Sequence, residues 1–201
     1  MTNTSRLALS KQVKKIPISA LRQMPLLAEG IPDVVSLGQG IPDMKTPRYI
    51  REGVATFLNE NDDIGKYSLQ PGLPALKQAI AERLRSHGLP ADPDKNICVT
   101  AGAMAALASA ILAIVESGDE VIVFDPGYPL HVEQILLAGG TPVYVPLDGE
   151  RGWKLDTEKL RSAVTGKTKA IIVCSPSNPT GSIGSTAPGP FSKASRSTSP
   201  I

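Results

Sequence analysis

From residue 96 onward, short apolar runs alternate with segments of helical period. Asn96–Thr100, Glu120–Phe124, Pro142–Pro146 and Lys169–Cys174 are brief Val- and Ile-containing runs between turn-forming residues, and they read as strands. Between them, Ala103–Ser117, Leu130–Ala138 and Asp156–Val164 read as helices, the second closed by Gly139-Gly140. Strands separated by single helices at this spacing predict βαβ units around a mainly parallel sheet, an α/β fold with helices on both faces. Upstream, residues 48–60 carry Ile50, Val54, Phe57 and Leu58 on one helical face. Leu73–His87 repeats the pattern with Leu73, Leu76, Ile80 and Leu84, and Gly88 and Pro90 stop it. A polar loop over 61–72 carries Tyr67, and a short helix is predicted over Ser19–Glu29. Pro and Gly cluster over 30–47 around the apolar Val34-Val35-Ser36-Leu37.

Composition narrows the field. Of 201 residues, 41% are hydrophobic, enough for a core and too many for disorder over most of the chain. Lys and Arg total 21 against 19 Asp and Glu, a net charge of +2 that gives no reason to expect nucleic acid or an anionic membrane as partner. No apolar stretch is long enough to span a bilayer, and the N-terminus has no signal-like apolar region. A soluble protein in the reducing cytoplasm is the expectation. Cys98 and Cys174 each sit in a strand-like run and are predicted to be buried thiols acting as small hydrophobes, not a disulfide or metal pair.

Candidate chemistry gathers at the ends of the predicted strands. Thr100-Ala101-Gly102-Ala103-Met104 ends one strand and opens a helix, whose first amides form a ready anion site; an ordinary Gly-containing turn is the plainer reading. Asp125-Pro126-Gly127-Tyr128-Pro129 places an aromatic between prolines, able to stack on a flat ring or to sit in a plain turn, with His131 three residues on. Ser175-Pro176-Ser177-Asn178-Pro179-Thr180-Gly181 sets a polar Asn just past a buried strand, where open α/β sheets bind ligands.

These strings, with Leu37-Gly38-Gln39-Gly40-Ile41-Pro42-Asp43 and the Lys66–Leu76 segment containing Tyr67 and Gly72, resemble the pyridoxal-phosphate aminotransferases of classes I and II over roughly residues 15–181. The resemblance implies part of a three-layer large domain with an N-terminal arm. It divides the chain into 1–47 (arm and part of a small domain), 48–181 (partial cofactor-binding large domain) and 182–201 (a disordered tail unlike the family). It implies that Gly102, Ala103 and Met104 cup the cofactor phosphate, that Tyr128 covers its ring, and that Asn178 donates to its phenolic oxygen. By the same resemblance Tyr67 reaches a partner subunit's phosphate, Gly40 lines the substrate carboxylate pocket, and His131 lies behind the ring nitrogen. The substrates implied are an amino acid and a 2-oxo acid, and the family is usually dimeric. Its sheet order, 3-2-4-5-6-7-1, has this chain supplying the first four strands.

The same resemblance sets an expectation about activity. The family's ring-nitrogen aspartate (Asp-Glu-x-Tyr), Schiff-base lysine (Ser-x-Ser-Lys) and carboxylate-binding arginine belong after Gly181, where this chain turns to a Ser/Pro/Gly-rich tail. Pro190-Phe191-Ser192-Lys193 is too close to Gly181 and has no strand before it, so Lys193 is not taken as that lysine. The abrupt change at 182 suggests a truncated or frame-shifted product that is inactive alone, binding pyridoxal phosphate weakly or not at all. Alternatively it is a non-catalytic fragment, forming a homodimer or pairing with a full-length relative. An unrelated nucleotide-binding domain is disfavoured: no Gly-x-Gly-x-x-Gly follows the first strand, and Gly166-Lys167-Thr168 lacks the upstream glycine of a phosphate loop.

Overall fold

A computed structural model describes residues 8–16, 20–35, 40, 42–68 and 71–183. Residues 1–7, 17–19, 36–39, 41, 69, 70 and 184–201 lie outside the described residues, and with them parts of the predicted Ser19–Glu29 helix, the Leu37–Asp43 motif, the Lys66–Leu76 segment and the 182–201 tail. The chain forms two units, residues 19–108 and residues 109–201 with 1–18.

The first unit is helical. It contains α1 (Ala20–Ala28), α2 (Arg48–Glu60), α3 (Pro74–Ser86) and the start of α4 (Gly102–Ile114). Each sits where the apolar period predicts it. In α2 that period has produced a helix whose apolar face no described residue covers: Ile50, Val54, Phe57 and Leu58 are all exposed. In α3, Pro74 occupies the first turn, where its missing N–H costs nothing. Lys77 of α3 is 6% exposed, and its ammonium lies 2.7 Å from Asp94 Oδ1. Asp92 shapes the turn that presents Asp94, accepting from the amides of Asp94 (2.8 Å) and Lys95 (3.2 Å). Those bonds, the Asp94 amide first, hold the Asp92 carboxyl below its usual range.

One expectation is corrected here. Asn96–Thr100 is extended but belongs to no sheet among the described residues. The Val99 amide donates instead to the Pro71 carbonyl at 2.8 Å, in a loop. Apolar residues dictate an extended run, whereas a ladder also needs an adjacent strand. Cys98 is exposed in that run, against the expectation of burial, while its neighbour Ile97 is buried and Val99 half-buried.

The second unit holds the rest of α4, then β1 (Glu120–Asp125), α5 (Pro129–Ala138), β2 (Thr141–Pro146), α6 (Thr157–Ala163) and β3 (Thr168–Ile171). The strands are parallel in the order β2-β1-β3. This is the 3-2-4 part of the order that the resemblance implied. The central strand carries the most continuous apolar run: Val121 and Ile122 are fully buried and Val123 nearly so. Ile122 packs with Val145 and Leu160, flanked by Phe124, Val143, Leu155, Ala163 and Ile171, so α6 closes this part of the core. Ile135 of α5, Ile111 of α4 and Val115 are also buried. Asp156 starts α6 by accepting from the amides of Glu158 (2.9 Å) and Lys159 (3.3 Å). Cys174, predicted buried, is exposed, two residues past the last paired backbone group, the Ile172 amide that donates to the Ile122 carbonyl at 2.9 Å.

Two substitutions probe this unit. Asp156→Ala removes the cap of α6, with an expected loss of about 1 kcal/mol of stability. At Gly140 an added Cβ would meet Val115 Cγ1 at 2.6 Å and Ile135 Cγ2 at 3.2 Å. Gly140→Ala is therefore expected to cost about 1–3 kcal/mol by overpacking. Urea midpoints at constant slope measure both, and a wild-type midpoint for Gly140→Ala would refute the tight contact.

Candidate cofactor site

In the helical unit, residues 100–104 form a tight turn into α4. The Gly102 amide donates to the Thr100 carbonyl at 2.8 Å, and the Thr100 hydroxyl donates to the Gly102 carbonyl at 2.9 Å. Gly102 has φ +82°, a conformation that L side chains avoid, and the space where a Cβ would stand is open. No acidic residue lies in the first turn of α4, so nothing there offsets the positive helix end. Gly102 and Ala103 are exposed, and Met104 is half-buried. An open, cationic backbone cradle of this kind fits a phosphate dianion. Gly40 is exposed with open space around it, and Tyr67 is fully exposed. No hydrogen bond or ring contact joins Gly40, Tyr67 and Gly102 among the described residues.

In the sheet unit, β1 and β3 run parallel, so the segments that follow them leave from the same, carboxyl edge. The first carries Tyr128. Its presentation depends on Gly127, where a Cβ would meet the Phe124 carbonyl oxygen at 2.3 Å, so only glycine closes this turn. Tyr128 then stands immediately before α5, and the His131 amide donates to its carbonyl at 3.1 Å. The two rings meet edge to face, centroids 5.5 Å apart at 83°. Sequence reasoning named both residues and missed this contact. Its only signal was the three-residue spacing, which brings side chains together once a helix has begun. Burial pushes the His131 imidazole below its ordinary value of 6.5, so it is neutral near pH 7.

The second segment carries Asn178. The Gly181 amide donates to the Ser177 carbonyl and the Ser177 amide to the Ser182 carbonyl, each at 2.8 Å. Thr180 Oγ1 and Ser182 Oγ add a 2.8 Å bond within the turn. The loop is thus closed on itself, while Asn178 stays exposed with its carboxamide bonded to no described residue. The peptide bonds Asp125-Pro126, Ser175-Pro176 and Asn178-Pro179 are cis. Tyr128 and Asn178 therefore flank one sheet edge, an aromatic face and an amide donor. Among the described residues no three His, Cys, Asp or Glu side chains are grouped to hold a metal, and no helix is long and apolar enough to cross a membrane.

The His131 environment predicts a pH effect. Because its folded value is depressed, the unfolded chain binds more protons below 6.5. The contribution of His131 to the stability of the sheet unit is full above 6.5 and is lost as pH falls from there through the folded value. Unfolding midpoints of wild type and His131→Phe from pH 8 to 5 should diverge on the acid side, the variant lacking this component. Parallel curves would show that His131 is not sheltered.

Known proteins resemble this chain in sequence and in fold. Residues 32–187 match the family described as aminotransferase class I and II. The aspartate aminotransferase of Pyrococcus abyssi is 39% identical over 180 residues, covering 88% of this chain and 45% of its own. That of Geobacillus stearothermophilus is 41% identical over 152 residues, 75% of this chain and 38% of its own. The solved Pyrococcus protein A1 superposes with a TM-score of 0.84 at 37% identity, over 89% of this chain and 46% of that one. The chain thus spans less than half the length of the relatives that it matches.

Proposed function

Since the chain belongs to the class I and II aminotransferases, we propose that it carries the phosphate- and ring-holding elements of a pyridoxal-phosphate site and that these 201 residues do not transaminate by themselves. The observation that carries the first part is Gly102: φ +82°, open space above it, and a helix start free of acidic side chains. Gly102, Ala103 and Met104 hold the phosphate. Tyr128 lies against the ring, with His131 at its edge, and Asn178 donates to the phenolic oxygen. Tyr67 reaches a partner subunit's phosphate and Gly40 lines the substrate carboxylate pocket. Bound pyridoxal phosphate supplies the electron sink for chemistry at an amino acid's Cα. Moving a proton there also takes a positioned base and an acid against the ring nitrogen. Neither the Ser-x-Ser-Lys nor the Asp-Glu-x-Tyr string of the family occurs in these residues. The substrates of the complete site are an amino acid and a 2-oxo acid. Full exposure of Tyr67 supports a second reading, in which the chain pairs with a full-length aminotransferase as a non-catalytic subunit.

The test is titration with pyridoxal phosphate, followed by dialysis, borohydride reduction and intact mass. Weak, dialysable binding is expected, with no stoichiometric mass gain and no turnover of amino acids. Ala103→Asp places a carboxylate at the helix start, which suits the helix and opposes a phosphate. It should weaken binding at least tenfold without lowering the urea midpoint. A single-lysine adduct with turnover would defeat the inactive reading, and binding unchanged by Ala103→Asp would defeat the phosphate cup.

A further inference from the structure

We propose that Gly72 is a positioning residue for the phosphate cup, and that with the Lys77–Asp94 ion pair it forms a two-point clamp that aims the start of α4. The proposal rests on the reading of Gly102, Ala103 and Met104 as that cup. All of these residues lie in the helical unit.

The first point of the clamp is Val99, three residues before Gly102. The Val99 amide donates to the Pro71 carbonyl at 2.8 Å. Gly72 follows with φ +135°, a conformation that L side chains avoid. A Cβ there would meet Val99 Cβ and Cγ2, each at 2.8 Å. The end of a long side chain could swing aside, but the Val99 Cβ is fixed to its own backbone. A side chain at 72 must therefore push the Val99 backbone away, and the bond to Pro71 with it. Conformation and close approach make the same demand, and only glycine meets both.

The second point is Asp94. Lys77 of α3 is 6% exposed, and its ammonium lies 2.7 Å from Asp94 Oδ1. A buried ammonium depends on its partner. The Asp94 side chain is 79% exposed and has water as an alternative. The turn that holds Asp94 is closed on itself: the Asn96 amide donates to the Asp92 carbonyl at 2.9 Å, and the Asp92 amide to Asn96 Oδ1 at 3.0 Å. The two contacts thus join 71 to 99 and 77 to 94, in opposite directions along the two stretches. One contact would let the extended run over 96–100 pivot, whereas two set its position and its direction. The bonds between Thr100 and Gly102 carry that direction into the first turn of α4. Amides that hold an anion need it, because a hydrogen bond weakens steeply when misaligned.

The 201-residue chain is titrated with pyridoxal phosphate, with urea midpoints and exchange of the Val99 amide measured alongside. Lys77→Met replaces the buried charge with an apolar chain and leaves Asp94 to water, so its midpoint should match wild type or rise. Its affinity should still fall, by about threefold or more, which a purely stabilising pair would not cause. Gly72→Ala should speed exchange at Val99 and weaken binding about tenfold or more, the equivalent of one misaimed charged hydrogen bond. Gly88→Ala is the control: Gly88 has φ +75° with open space around it, so the variant should lose stability and keep its affinity. Circular dichroism confirms folding, and Lys77→Met carries the test if Gly72→Ala does not fold. No binding by wild type, or binding indifferent to Ala103→Asp, would overturn the cup and the clamp together. Binding that Ala103→Asp weakens while Lys77→Met and Gly72→Ala leave it unchanged would overturn the clamp alone. So would equal losses of affinity in Gly72→Ala and Gly88→Ala.

Discussion

The sheet unit depends on one constraint: a strand buried on both faces must find hydrogen-bond partners on both edges. Val121, Ile122 and Val123 are removed from water, and unpaired amides and carbonyls there would each cost a lost hydrogen bond. β1 meets the requirement by pairing with β2 from Glu120↔Thr141 to Asp125↔Pro146 and with β3 at Val121↔Ala170 and Ile122↔Ile171. Both pairings are parallel, because a helix-containing crossover returns the chain to the end where it began. Parallel pairing then decides where the candidate residues stand. It delivers the segments after β1 and β3 to one edge, so that Tyr128 and Asn178, fifty residues apart in sequence, leave the sheet side by side.

At that edge and at the start of α4, glycine does what no side chain can. Gly127 lets the chain turn within 2.3 Å of a carbonyl at the Cβ position, and Gly102 takes a left-handed conformation at a helix start. In both places the group proposed to meet the cofactor comes next: an aromatic ring in one, backbone amides in the other. The turn that carries Asn178 is held differently, by Ser177, Thr180, Gly181 and Ser182 bonding to one another. The Asn178 carboxamide on this self-closed loop has no hydrogen-bond partner among the described residues, which fits the role proposed for it.

How much of this was legible follows from the range of each interaction. The helices and the three paired strands were legible because apolar period and turn residues act locally. The candidate residues were legible as motifs, since Asn-Pro-Thr-Gly and Pro-Gly-Tyr-Pro are contiguous. Burial was not. Cys98 and Cys174 carry the local pattern of core residues, yet core is made by what lies across the gap. Asn96–Thr100 carries the pattern of a strand, yet a ladder is made by a neighbour. The Lys77–Asp94 pair was invisible for the same reason, being 17 residues apart and on no common period.

The misreadings share a direction. In each the sequence specifies more burial or pairing than the described residues show: two thiols, one strand, and the face of α2 formed by Ile50, Val54, Phe57 and Leu58. Helix and strand formation by these segments shows that local preference is satisfied. Their exposure shows that tertiary demand is not, since an amphipathic face yields its stabilisation only when something excludes water from it. A large apolar surface left facing water is a binding surface or an aggregation hazard. Which of the two holds is set by whether a complementary surface exists.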